Sequence, residues 1–120
     1  MSFSLAGNKI QIEQGSTFSL TLNWTDSEGA IMPLASESWT ARMKGREDKE
    51  SSTEVFSWTS GAELILADTN PNIRIEVEAT ATAAYSAPLL GWYDLELVDA
   101  TGNVYKIISG VLQIDREVTR

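Results

Sequence analysis

From Thr17 to Thr25 the chain alternates without a break. Phe18, Leu20, Leu22 and Trp24 fall on one parity, and Thr17, Ser19, Thr21, Asn23 and Thr25 on the other. A repeat of two belongs to an extended strand, whose successive side chains point to opposite faces; an amphipathic helix would repeat every 3.6 residues. The pattern returns in Trp39, Ala41 and Met43 against Thr40, Arg42 and Lys44. It returns again in Ile73, Ile75, Val77 and Ala79 against Arg74, Glu76 and Glu78, and in Tyr93, Leu95 and Leu97 against Asp94, Glu96 and Val98. Each such strand has one apolar face that must be covered, and the simplest cover is a second sheet with the same need.

The punctuation between these runs fits short connections. Asp26-Ser27-Glu28-Gly29 and Asp68-Thr69-Asn70-Pro71-Asn72 are turn sequences, and Asp99 to Asn103 is a hairpin loop with Gly102 for the left-handed position. Glu54 to Thr59 and Ala62 to Ala67 read as short strands parted by Ser60-Gly61. Gly45 to Thr53 reads as a polar loop. Val104 to Asp115 reads as a long strand in which Ser109-Gly110 marks a bulge or bend. The alanine-rich stretch near residues 80–86 has room for one helical turn, ended by Pro88 and Gly91. The expectation is an all-β chain: an Ig-like, two-sheet antiparallel β-sandwich of seven to eight strands with at most that one turn of helix. It fills residues 1–120 as a single domain, with a polar C-terminal tail from about 115.

Composition narrows the chemistry. With no His and no Cys there is no imidazole base, no thiol nucleophile, no disulfide and no zinc site of the usual kind. A formal charge of −8 argues against a nucleic-acid partner, which needs clustered Lys and Arg. No stretch reaches the ~20 apolar residues of a membrane helix, so no membrane partner is expected. Phosphate loops, nucleophile elbows and dinucleotide fingerprints do not occur, and neither a cofactor nor a metal is expected. Asp68-x-Asn70-x-Asn72 imitates the opening of a calcium loop, but Ile73 and Ala79 stand where that loop needs Gly and Glu, so a turn is the better reading.

Candidate binding residues come from the polar parity of the strands. Asp94 and Glu96, two apart on one strand, share a face at roughly 7 Å separation. That scale suits a glycosidase pair, but it equally suits cross-strand ion pairing with Arg42 and Lys44, which alternate outward on a neighbouring strand. Trp92 shares their parity and is expected to point outward, as a platform for a protein contact or a glycan. The Gly45–Ser52 loop and the tail, with Arg116 and Arg120, complete the candidate contact set.

The order of these features resembles a known group. Gln14-Gly15-Ser16-Thr17-Phe18, the Asp26…Gly29 turn, Pro33-Leu34 and Trp39-Thr40-Ala41-Arg42-Met43 come first. Thr82-Ala83-Ala84, Gly91-Trp92-Tyr93-Asp94-Leu95-Glu96-Leu97, Gly102, Gly110-Val111-Leu112-Gln113-Ile114 and Glu117-Val118-Thr119 follow. Together they resemble small β-sandwich proteins encoded among the structural genes of tailed bacteriophages and prophages. They are also similar to the N-terminal attachment domain of upper baseplate proteins. The resemblance spans nearly the whole chain and rests on turns and strand pattern. It implies a non-enzymatic virion structural protein, made in the host cytoplasm, that acts as a tail or baseplate adaptor or as an accessory or decoration subunit. The implied partners are other phage structural proteins and further copies of itself, as a homo-oligomer. The alternative from another class is a carbohydrate-binding module built on Trp92, Asp94 and Glu96.

Overall fold

The computed structural model describes residues 9–48, 50 and 52–118. Its strands are β1 (Ile10–Glu13), β2 (Phe18–Leu22), β3 (Thr40–Arg46), β4 (Glu54–Thr59), β5 (Leu64–Leu66), β6 (Ile73–Val77), β7 (Leu89–Val98) and β8 (Val104–Asp115), with one short helix, α1 (Ala79–Ala83). They form a five-stranded sheet in the order β1-β8-β7-β3-β4 and a three-stranded sheet in the order β2-β6-β5. The smaller sheet and the β8-β7-β3-β4 run follow the strand order that defines an immunoglobulin-like sandwich with one extra strand on its larger sheet. The fold is therefore the expected all-β, Ig-like two-sheet sandwich.

Alternation explains most of it. On β7 the even residues face solvent while Gly91, Tyr93, Leu95 and Leu97 are buried, and on β3 Ala41, Met43 and Gly45 are buried. Facing them from the smaller sheet are Leu64, Ile73, Ile75 and Val77, all essentially without solvent exposure. Two aromatic groups sit toward opposite ends. Phe56 stacks on Trp58 at 3.8 Å between ring centroids, and the Trp58 indole N–H donates to the Tyr85 hydroxyl at 2.9 Å. At the other end Trp24 meets Trp39 edge to face at 5.1 Å, with Tyr105 beside both. Trp58 faces inward and is 1% exposed.

Several expectations need correction. β1 was not among the strands read from the sequence, and it lies parallel to β8, with Ile10 opposite Leu112 and Glu13 opposite Asp115. The sandwich is thus antiparallel in its other named strand pairs but not at this edge. β2 stops at Leu22 instead of running to Thr25, because the next backbone is taken by a side chain. Fully buried Asn72 accepts from the Trp24 N–H at 2.8 Å and donates to the carbonyls of Trp24 (2.8 Å) and Met32 (3.1 Å). The calcium-like spacing around Asn72 is thus a clasp between distant segments. β3 continues through Gly45 to Arg46, so the loop begins later than expected. Gly91 lies inside β7 and does not end the helical turn. The β8 irregularity falls at Ile107, where pairing jumps from Leu95–Ile108 to Glu96–Lys106, and not at Ser109-Gly110.

Glycine is required at one of these places by close approach. A Cβ on Gly91 would lie 2.2 Å from the Arg46 carbonyl oxygen. A buried hydroxyl anchors the helix: Thr82 Oγ1 accepts from the Gly15 N–H at 3.1 Å and donates to the Ser16 carbonyl at 2.7 Å. This ties α1 to the β1–β2 turn.

Candidate functional site

The outer face of the five-stranded sheet is built on β7. Leu90, Trp92, Asp94 and Glu96 project from it in that order, and their neighbours follow from the register. On β3 they are Arg46 beside Trp92, Lys44 beside Asp94 and Arg42 beside Glu96. On β8 they are Gln113 beside Leu90, Val111 beside Trp92, Ser109 beside Asp94 and Lys106 beside Glu96. The face divides into an apolar part and an ionic part. Leu90 is 67% exposed and Trp92 38%, with half-buried Val111 next to them. A large aromatic and a leucine presented side by side on a rigid sheet are side chains that water solvates poorly.

The ionic part is a network across four strands. Arg42 Nε lies 2.8 Å from Glu96 Oε1, across the β3–β7 pairing. Lys44 and Asp94 are opposite in register but engage other partners. Lys44 reaches Glu54 on β4 at 3.1 Å, and Asp94 has Lys106 on β8 at 3.7 Å. Arg46 also approaches Glu54, at 3.8 Å. The hydrogen bond from Lys44, followed by the charges of Lys44 and Arg46, outweighs partial desolvation and holds the Glu54 carboxyl below its usual range. Asp94 and Glu96 are accordingly members of an exposed charge ladder, where each cation–carboxylate contact contributes little to stability. The glycosidase alternative would need one of them shielded from water and uncharged; both stand on an open sheet beside cations.

A groove of about 390 Å³ opens where the two parts meet, lined by Lys44, Arg46, Trp92, Asp94, Lys106 and Gly110 among others. A second, of about 470 Å³, lies beyond Leu90 between the start of β4 and the segment Ala84–Leu90. Leu90 lines this second groove. Its signal in the sequence is its parity with Trp92, Asp94 and Glu96, one step before the alternation that begins beyond Gly91.

The remaining candidates are not part of this face's centre. Arg116 is exposed, about 17 Å along β8 from Val111 at ordinary strand rise. Beside it the chain is anchored, since the Glu117 N–H donates to Gln14 Oε1 at 3.1 Å. Arg120 lies outside the described residues, as do Lys49 and Ser51 of the candidate loop. Among the described residues no group of three or more His, Cys, Asp or Glu side chains is placed to hold a metal ion, and no helix is long and apolar enough to cross a membrane.

No protein-family model matches the sequence, and no curated protein matches it. Solved structures similar to it include extracellular domains 3–5 of Drosophila OTK, at 17% identity and a TM-score of 0.44, over 92% of this chain and 33% of that one. Murine CRIg is similar at 8% identity and a TM-score of 0.44, over 97% of this chain and 95% of the other. The first Ig-like domain of human CD48 is similar at 10% identity and a TM-score of 0.42, over 93% and 84%. The chain spans about a third of the OTK structure it matches.

Proposed function

We propose that this chain is a non-enzymatic docking module that binds other proteins through the outer face of its five-stranded sheet, and that it serves as a structural subunit of a tailed-phage particle. The observation that carries the docking reading is the pairing of exposed Leu90 and Trp92 with an ionic ladder on one rigid surface. An exposed aromatic anchor with a charged surround is the usual anatomy of a protein contact. The phage setting is supported by the resemblance in turn and strand sequence described above. Its implied partners are other structural proteins of the particle and further copies of the chain, in a symmetric assembly.

The test is direct. Mass spectrometry of purified particles should detect the chain, and the purified protein should capture another structural protein of the same particle. Trp92→Ala should weaken that capture at least tenfold, the size expected when an aromatic anchor is truncated. Absence from purified particles would defeat the phage reading. Binding to a glycan panel that disappears in Trp92→Ala would favour a carbohydrate-binding module instead.

A further inference from the structure

Between Glu13 and Asp26 the chain carries no charged side chain, and β2 lies in that stretch at one edge of the three-stranded sheet. Its main-chain bonding follows from its neighbours. The Glu76 N–H donates to the Glu63 carbonyl at 2.9 Å, and the Ala67 N–H to the Asn72 carbonyl at 3.0 Å. Even-numbered residues of β6 therefore turn their main-chain groups toward β5. The odd-numbered Ile73, Ile75 and Val77 turn theirs toward Leu22, Leu20 and Phe18. That leaves the N–H and C=O of Ser19 and Thr21 directed away from the sheet, and among the described residues no strand lies beyond them. The side chains tell the same story. Phe18 and Leu20 point inward yet stay half-buried, while the residues paired with them, Val77 and Ile75, are buried. A strand laid on this edge bonds four main-chain groups and covers the rest of both side chains.

Natural sheets guard such edges with charges, bulges or short strands, and the other three edges here are guarded. β4 bears Glu54, has an irregularity in its pairing with β3, and gives its Thr59 N–H to Glu63 Oε1 at 3.4 Å. β5 is three residues long, and the carbonyls of Leu64 and Ala67 accept from the Gly61 and Leu34 N–H groups at 3.0 and 3.3 Å. β1 is four residues long and bears Glu13, with Lys9 just before it. β2 has none of these devices.

We infer that β2 is the edge at which two copies of this chain pair, antiparallel, about a two-fold axis at Leu20. In that register Ser19 of each copy faces Thr21 of the other, and the two pairs exchange four main-chain hydrogen bonds. Hydroxyl meets hydroxyl on the outer face. On the inner face Leu20 meets Leu20, and Phe18 meets Leu22. The alternation from Phe18 to Leu22 reads the same in both directions about Leu20, which is what a self-complementary contact requires. Charge selects the same place. Two bodies of formal charge −8 repel over most of their surfaces. Here no like charges stand opposite, and the nearest charges on β6, Arg74 and Glu76, are paired with each other. Growth stops at two, because pairing leaves the capped β5 edge at both ends of the joined sheet. The contact is small and so of the weak class, suited to copies held close together in an assembly. It uses no residue of the face proposed for docking.

Sedimentation of the full chain from about 10 μM to about 1 mM should show monomer passing to dimer, the range a small contact implies. Raising salt from about 50 to about 500 mM should strengthen the pairing, since salt screens the repulsion and breaks no ion pair at the contact. Amide exchange at Ser19 and Thr21 should slow as concentration rises, with Leu20, already bonded to β6, protected throughout. Ser19→Lys with Thr21→Lys sets like charges opposite each other twice. It should weaken pairing at least tenfold, although it lowers the net negative charge. Ser19→Lys with Thr21→Glu sets opposite charges across the axis and should pair at least as tightly as the parent. Both sites are exposed, and circular dichroism checks the fold of each variant. Monomer at every concentration, pairing that the double lysine variant leaves unchanged, or pairing weakened by salt would overturn the inference. Protection of Ser19 and Thr21 in the monomer would give the edge to a segment of the same chain. Protection gained only with the particle partner would give it to that partner. Either result overturns the pairing of copies. Trp92→Ala separates this claim from the docking reading. If it abolishes pairing, the copies meet on the docking face and the edge falls. If pairing persists at Ser19 and Thr21 while Trp92→Ala leaves capture intact, the edge stands and the docking reading falls.

Discussion

Asn72 offers the sharpest test of how this sandwich is held together. Its side chain satisfies three backbone groups at once: the Trp24 N–H and the carbonyls of Trp24 and Met32, at 2.8, 2.8 and 3.1 Å. Neither Asn72 nor Trp24 has appreciable access to water. Asn72→Ala would take this partner from the Trp24 N–H and the Met32 carbonyl, at about 1–3 kcal/mol each, while the Trp24 carbonyl keeps the Met32 N–H at 3.2 Å. Allowing for relaxation, we expect a loss of about 2–4 kcal/mol, a large share of the ~5–15 kcal/mol that holds a domain of this kind. Asn72→Asp is the more instructive change because it keeps the shape. The carboxylate can still accept from the Trp24 N–H, but its second oxygen then faces two carbonyl oxygens, and only the protonated acid restores a donor. The folded state therefore raises the pKa of the introduced carboxyl above its unfolded value of about 3.9. The sign follows from linkage. Below about pH 3.9 the acid is protonated in both states and the deficit relative to the parent is smallest. As pH rises the unfolded state loses the proton first, and the deficit grows by about 1.4 kcal/mol per pH unit until the folded pKa is reached. Urea unfolding at pH 3.5, 5 and 7, followed by tryptophan fluorescence and circular dichroism, measures this difference. A variant that loses less than about 1 kcal/mol at pH 7, with a deficit independent of pH, would refute the clasp.

Three further outcomes are expected. Thr82→Val keeps the shape but removes the hydroxyl that links Gly15 to Ser16, and should lower stability by about 1–3 kcal/mol in thermal unfolding, with Thr82→Ser close to the parent. Gly91→Ala would press a methyl against the Arg46 carbonyl and should destabilise by about 1–3 kcal/mol, with faster amide exchange along β3 and β7. Asp99 accepts from the N–H and side-chain amide of Asn103 and from the N–H and hydroxyl of Thr101, and these donors, the Asn103 N–H first, pull its carboxyl down to about 2. Because the folded pKa is depressed, its contribution is present above about pH 3.8 and is lost as pH falls toward 2. The stability gap between the parent and Asp99→Ala, measured by urea unfolding, should accordingly close over that interval.

What the sequence disclosed, and what it withheld, divides on physical lines. Strict alternation along residues 93–98 and 39–44 placed β7 and β3 and put Arg42, Lys44, Asp94 and Glu96 on their outward parity, while the register set Arg42 beside Glu96. Parity does not say which way a long side chain leans, so Lys44 went to Glu54 and Asp94 to Lys106. β1 carries two buried isoleucines in four residues, a pattern too short to stand out; it is a strand because β8 supplies its hydrogen-bonding edge. The irregularity at Ile107 depends on the register with β7, which no local composition encodes. Asn72 looked like a turn residue because the groups that bury it lie 48 and 40 positions away.

The parallel pairing of β1 with β8 has a mechanical consequence. Tension applied through Ile10 at one end and Asp115 at the other pulls these two strands past each other along their length. The load then falls on all their cross-links together, including the Gln14 N–H donated to the Asp115 carbonyl at 2.9 Å. An antiparallel hairpin pulled from its open end would instead yield one rung at a time. Loaded in this way the sandwich resists by shear, at the edge that alternation alone did not reveal.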